Sequence, residues 1–92
     1  MIQFLIHEET DNVGVVTVDM SAGETAKGLY MDTQKKIELK ALEDIPLGHK
    51  IALKDLKAEE SVIKYGHDVG RVVANIRTGA HVHIHNLKTR RW

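Results

Sequence analysis

The chain has 92 residues, with 13 Lys plus Arg balancing 13 Asp plus Glu and no cysteine. That length suits one small domain, residues 1–92, and the balanced charge gives no electrostatic reason to expect nucleic acid or an acidic membrane surface as a partner. The absent thiol excludes disulfides, thiolate metal sites and a cysteine nucleophile, and MIQFLIHEE has neither the basic start of a signal peptide nor the length of a membrane span, so a cytoplasmic protein or subunit is expected.

IQFLIH alternates loosely and reads as a first strand. In NVGVVTVDM, Val13, Val15 and Thr17 share one face, and Val16 and Val18 share the other. Either a strand buried on both sides or a bulge near Gly14 gives this pattern. TAKGLYMD is ambiguous. KKIELKALEDI alternates cleanly, with Ile37, Leu39 and Ala41 against Lys36, Glu38 and Lys40, as a half-buried strand does. ALKDLKAEE has the composition for one or two short helical turns, with Leu53 and Leu56 spaced i, i+3. SVIKYG and GRVVANI read as strands joined by a turn at GHDVG, and HVHIHNL reads as the last strand. No linker or low-complexity segment divides the chain.

A short motif recurs as DMSAGETA from Asp19, DIPLGHKI from Asp44, DLKAEESV from Asp55 and NIRTGAHV from Asn75. Its starts are unevenly spaced, which argues against a solenoid and for one turn-then-strand element reused in a compact β domain. The fifth position is Gly in all but one copy, where a positive φ is cheap, and Pro46 fixes φ early in the second copy. Glu59 breaks the pattern. Since a carboxylate gains nothing obvious from a left-handed backbone, a different turn shape is expected there.

His81, His83 and His85 alternate with Val82 and Ile84, and they make up half of the six histidines in the chain. On a continuous strand the imidazoles would share one face, with Val82 and Ile84 packed into the core. Tolerated histidines on the outside of an apolar strand would look the same. Alternate residues lie roughly 6.6 Å apart, and the first and third about 13 Å. Zinc–nitrogen bonds of about 2.0–2.1 Å hold ligand nitrogens within a few ångströms of one another. Two neighbours can converge on one ion, but three on a regular strand do so poorly. A metal site made by this strand alone is therefore not expected, while a partial site of His81, His83 and His85, completed by His49, His7, a carboxylate or another chain, stays open. In PLGHK, His49 stands where the last copy has Ala80, one residue before His81. If the repeated turns are neighbours, His49 reaches the histidine strand, and Lys50 offers a cation to a carboxylate or sulfonate. A solvated turn is the plainer reading of His49 and Lys50. His67 reads as a loop histidine.

The sequence holds no glycine-rich phosphate loop, nucleophile elbow or metalloprotease helix motif. Glu8–Glu9 and Glu59–Glu60 point apart in extended chain and read as solvated charge. Nothing supplies an autonomous active site.

Three stretches, EDIPLGHKIAL, VIKYGHDVGRVVANI and GAHVHIHNLKT, resemble in order and spacing the amino-terminal SAF domain of altronate and galactarate dehydratases, from Glu43 to Thr89. The resemblance implies a mainly β, β-clip fold of short bent strands and pseudo-symmetric turns. In fused members a long catalytic region follows this domain. A chain ending at Trp92 resembles the separately encoded small subunit of split members, and HNLKTRRW is similar to the sulfo-lyase branch. The resemblance implies a lyase subunit that is inactive alone, with a large catalytic subunit as partner. The substrate class is a small anionic 2-hydroxy acid that loses water or bisulfite. It also implies a divalent metal, Fe2+, in the assembled enzyme. On this reading His81 and His83 are catalytic, and His81, His83 and His85 face the metal. His49, Lys50 and Asn86 bind substrate, Asn86 either directly or by orienting a histidine. The closing KTRRW either docks on the partner or frays. A free non-catalytic SAF domain binding a sugar acid or a protein, and a metal carrier using the histidine face, stand as other readings. Homo-oligomerisation of the isolated chain stays open.

Overall fold

The computed structural model describes residues 1–83 and 85–89. The expected packing of Ile84 and the docking of Arg90, Arg91 and Trp92 lie outside the described residues. The strands are β1 (Phe4–Ile6), β2 (Val13–Val16), β3 (Thr25–Tyr30), β4 (Lys36–Lys40), β5 (Lys50–Ala52), β6 (Ser61–Lys64), β7 (His67–Val72), β8 (His81–Val82) and β9 (Leu87–Thr89). A six-stranded sheet has the order β4-β3-β1-β2-β5-β8, and a three-stranded sheet has the order β6-β7-β9. Among the described strands only β1 and β3 pair in parallel. The mainly β fold expected from the sequence is what the chain forms, and no described helix is long and apolar enough to cross a membrane.

β2 divides the interior. Phe4 lies opposite Val16 and Gly14 opposite Ile51, so these share one face; Leu5, Val15 and Lys50 share the other. On the first face Phe4, Ile6, Val16, Ile45 and Ile51 form a core that Val18, Ile37 and Leu39 pack against. On the second, Val13, Ala52 and Val82 meet Leu56, Val62 and Val72. Each such fully buried side chain contributes roughly 1.5–3 kcal/mol. The ladder runs unbroken across Gly14, so NVGVV is a strand buried on both sides rather than a bulge. β4 is the expected half-buried strand, with Ala41 fully buried just beyond it.

The four motif copies pair in twos. Met20 and Ile45 exchange backbone hydrogen bonds, each 2.9 Å; Leu56 and Ile76 do the same at 2.8 and 2.7 Å. The first residue of each copy then serves the opposite turn. Asp19 Oδ1 accepts the Leu47 N–H and Asp44 Oδ1 accepts the Ala22 N–H, both at 2.8 Å. Asp55 Oδ1 accepts the Thr78 N–H at 2.8 Å, and Asn75 Oδ1 accepts the Ala58 N–H at 2.9 Å. The Thr78 backbone and hydroxyl donors hold the Asp55 carboxyl below the usual carboxylate range. Pairing about local dyads needs no constant period, which explains the uneven spacing.

Three expectations are corrected. Glu59 adopts φ 79°, beside 91°, 86° and 87° at Gly23, Gly48 and Gly79, so its turn has the shared shape and Glu59 carries the strain. Its N–H donates to the Val72 carbonyl at 2.8 Å, the bond that fixes this conformation. ALKDLKAEE forms no helical turn, because Leu56 is bridged to Ile76 and Asp55 is bonded to Thr78. The turn assigned to GHDVG belongs one step earlier. Tyr65 and Gly66, with φ 56° and 72°, connect the paired residues Lys64 and His67, and His67–Val72 is strand. Left-handed values at both central residues suit the twist of a two-residue hairpin.

Candidate functional site

The histidine segment is not one regular strand. β8 holds only His81 and Val82, paired with Ile51 and Lys50 of β5, and the chain then turns before β9. Asn86 makes that turn. Its Oδ1 accepts the His83 N–H at 2.9 Å and its Nδ2 donates to the His81 carbonyl at 2.7 Å. The Asn86 and Leu87 N–H groups both donate to the His83 carbonyl, at 3.1 and 2.9 Å. Asn86 is 8% exposed and both ends of its amide are engaged within the loop, which orients His81 and His83, while the residue also lines a shallow pocket with Glu43 and His85.

The turn changes the distances that a straight strand would impose. The His81 ring lies with its centroid 5.5 Å from that of His83 and 5.1 Å from that of His85. His49 joins them from the turn before β5. It stacks on His83 at 4.0 Å, and its Nδ1 meets His81 Nε2 at 2.8 Å. One ligand atom from each of His49, His81 and His83 lies within 4.8 Å of the others. The conjecture that His49 reaches the histidine segment through neighbouring turns therefore describes the geometry. His85 is exposed and lies outside this tight set.

These three rings fit a divalent metal. Ligand nitrogens on a tetrahedral ion with bonds of about 2.0–2.1 Å lie roughly 3.3 Å apart. The 2.8 Å contact between His49 and His81 is slightly shorter, so an ion would replace that hydrogen bond after a small ring movement. Burial, then the His85, His49 and His83 rings, push the His81 imidazole below the ordinary histidine range, opposed weakly by Glu43. Burial first, then His49, Lys50 and His85, do the same to His83. The effect favours uncharged rings near neutrality, the form that binds metals and accepts protons. The sequence reading missed Glu43, whose Oε1 accepts the His81 N–H at 2.8 Å and caps the exposed end of β8. No local signal marks it, since the contact joins residues 38 apart.

Lys50 is not in this group. Its pairing with Val15 and Val82 puts its side chain on the face opposite His81, where it lines a cleft. Burial, and next the Lys64 charge, lower its pKa.

A family model described as the altronate/galactarate dehydratase SAF domain matches residues 2–90. The chain is 48% identical over 92 residues to the (2R)-sulfolactate sulfo-lyase subunit alpha of Chromohalobacter salexigens, covering 99% of this chain and 98% of that one. The subunit of the same name from Paracoccus pantotrophus is 57% identical over 54 residues, 59% of this chain and 81% of that one. The altronate dehydratase of Bacillus subtilis is 37% identical over 84 residues, 91% of this chain but 16% of the relative.

Proposed function

The chain belongs to the SAF-domain family of altronate and galactarate dehydratases, and from that premise we propose that it is the small subunit of a lyase, contributing a histidine wall to a site that a large subunit completes. The observation that carries this reading is the convergence of His49, His81 and His83 at the exposed end of the short edge strand β8. The match to a sulfo-lyase alpha subunit of nearly the same length favours (2R)-sulfolactate over altronate as the substrate.

Elimination from such an acid takes the proton from the carbon next to the carboxylate and expels the group on the following carbon. Sulfite or hydroxide leaves with the C–S or C–O bond pair and is protonated to bisulfite or water, and the resulting enol moves its hydroxyl proton to carbon to become a 2-oxo acid. His49 and His81, with donors from the large subunit, would hold the divalent metal, Fe2+ on this reading, which would supply positive charge to polarise the carboxylate and hydroxyl and leave the His83 lone pair free. His83 is half-buried and carries an imidazole shifted toward its neutral form, so it is the residue we assign to accept the proton. Asn86 and Glu43 are positioning residues that fix the backbone of His81 and His83.

The test is co-expression with a large subunit and an assay of (2R)-sulfolactate and altronate with added Fe2+. Turnover that needs both chains and falls about 10²–10⁴-fold in His83→Ala, with assembly intact, is expected. Full turnover of an assembled His83→Ala enzyme would refute the proton-transfer role.

A further inference from the structure

On the face of the six-stranded sheet opposite His81 lies a cleft of about 310 Å³. Its floor is Leu5, Val13 and Val15, whose side chains share that face by register, and its rim carries Lys50 and Lys64. Among the described residues neither ammonium group is paired with a carboxylate. Asp11 lines the same wall, yet it is occupied: Oδ1 accepts the Gly66 N–H at 2.8 Å, and Oδ2 accepts the N–H groups of Tyr65 and Glu8 at 2.9 and 3.2 Å. The carboxylate is thus used to clamp the β6–β7 hairpin over the cleft. The clamp holds Tyr65 in a left-handed conformation and brings its ring against His7, with centroids 4.3 Å apart. Lys64 Nζ then sits 4.4 Å from the centre of the Tyr65 ring, aligned at the mouth.

We propose that this cleft binds a small organic anion, its oxyanion head between Lys50 and Lys64 and its carbon body against Leu5, Val13 and Val15. Lys50 is half-buried beside an apolar floor and is repelled by the Lys64 charge, and a bound oxyanion relieves both costs. The cleft is of the size that takes a molecule of several heavy atoms. The cleft and the His49–His81–His83 cluster lie on opposite faces and share no side chain, although the Lys50 charge reaches His83 through the sheet.

Amide chemical shifts of the ¹⁵N-labelled chain, titrated with malonate and with methanesulfonate at constant ionic strength, test it. Saturable shifts at Leu5, Lys50, Lys64 and Tyr65 are expected, and the stronger of the two probes identifies the preferred head group. Lys50→Met and Lys64→Met should each weaken binding about tenfold or more while the spectrum stays dispersed. Either variant decides the matter if the other fails to fold. Shifts matched by sodium chloride alone, shifts confined to the histidine loop, or unchanged affinity in a folded lysine variant would overturn the proposal.

Discussion

His49 Nδ1 and His81 Nε2 face each other at 2.8 Å, joining two turns that lie 32 residues apart in the chain. The contact places a third ring in the metal-competent set and leaves His85 outside it. Co²⁺ titration of the isolated chain, followed by its visible absorption, should therefore rank the histidines. His49→Ala and His81→Ala should weaken binding by roughly 10–100-fold or more, at least the loss typical of disturbing a ligand's supporting shell. His85→Ala should change it less than about threefold. A larger effect at His85 than at His49 would show that the ring assignment is wrong.

The same cluster makes stability depend on pH. His81 and His83 have folded-state pKa values below the ordinary histidine value. The unfolded chain therefore binds protons first as pH falls, and stability drops from about pH 6.5 downward until the folded rings also protonate. Above that range both states are neutral and these groups contribute no slope. Urea midpoints in metal-free buffer should be lower at pH 5 than at pH 7.5, and His81→Gln should flatten the difference.

Glu59 holds φ 79° where the other three copies have glycine. Glu59→Gly should stabilise the fold by about 1 kcal/mol, the order of the left-handed penalty for a side chain with a Cβ. The exposed Arg71–Glu59 ion pair, 3.4 Å long, offsets little of that. An unchanged or lower urea midpoint would show that Glu59 relieves its strain by other contacts.

Gly23 and Gly79 separate backbone strain from crowding. Both have φ near 90°, yet a Cβ at Gly23 meets open space, whereas one at Gly79 would run into the Lys40 carbonyl oxygen. Gly23→Ala should cost about 1–2 kcal/mol. Gly79→Ala should cost a further 1–3 kcal/mol or so, by overpacking against backbone. Equal losses in thermal or urea unfolding would contradict the crowding.

Asn86→Ala leaves the His81 carbonyl and His83 N–H without their partners. Each unsatisfied buried group costs about 1–3 kcal/mol. The loss should show both as a lower unfolding midpoint and as weaker Co²⁺ binding, although Asn86 is no ligand. Lower stability with unchanged metal affinity would limit Asn86 to a structural role.

Much of the fold was legible because alternation carries it: Ile37, Leu39 and Ala41 turn inward as their spacing requires. The recurring Asp or Asn turn was legible as a pattern, whereas the nearness of His49 to His81 followed only if the turns were neighbours, against the plainer reading of a solvated turn. The break after β8 was not. His-Val-His-Ile-His reads the same whether or not the strand continues, and no Gly or Pro marks the stop. The stop depends on the Asn86 amide bonding backward to His81 and His83. The helical composition of ALKDLKAEE lost to tertiary pairing at Leu56 and Asp55. The Tyr65–Gly66 turn was hidden because its clamp, Asp11, lies 54 residues from Tyr65.

The reciprocal turns make each carboxylate or amide the custodian of its opposite number. Asp19 secures Leu47 while Asp44 secures Ala22. A lesion at Asp19 should therefore be loudest not at its own loop but at residue 47, two positions before His49. Amide hydrogen exchange at Leu47 is accordingly a remote gauge of Asp19, and the histidine cluster is wired to a turn on which none of its members sits.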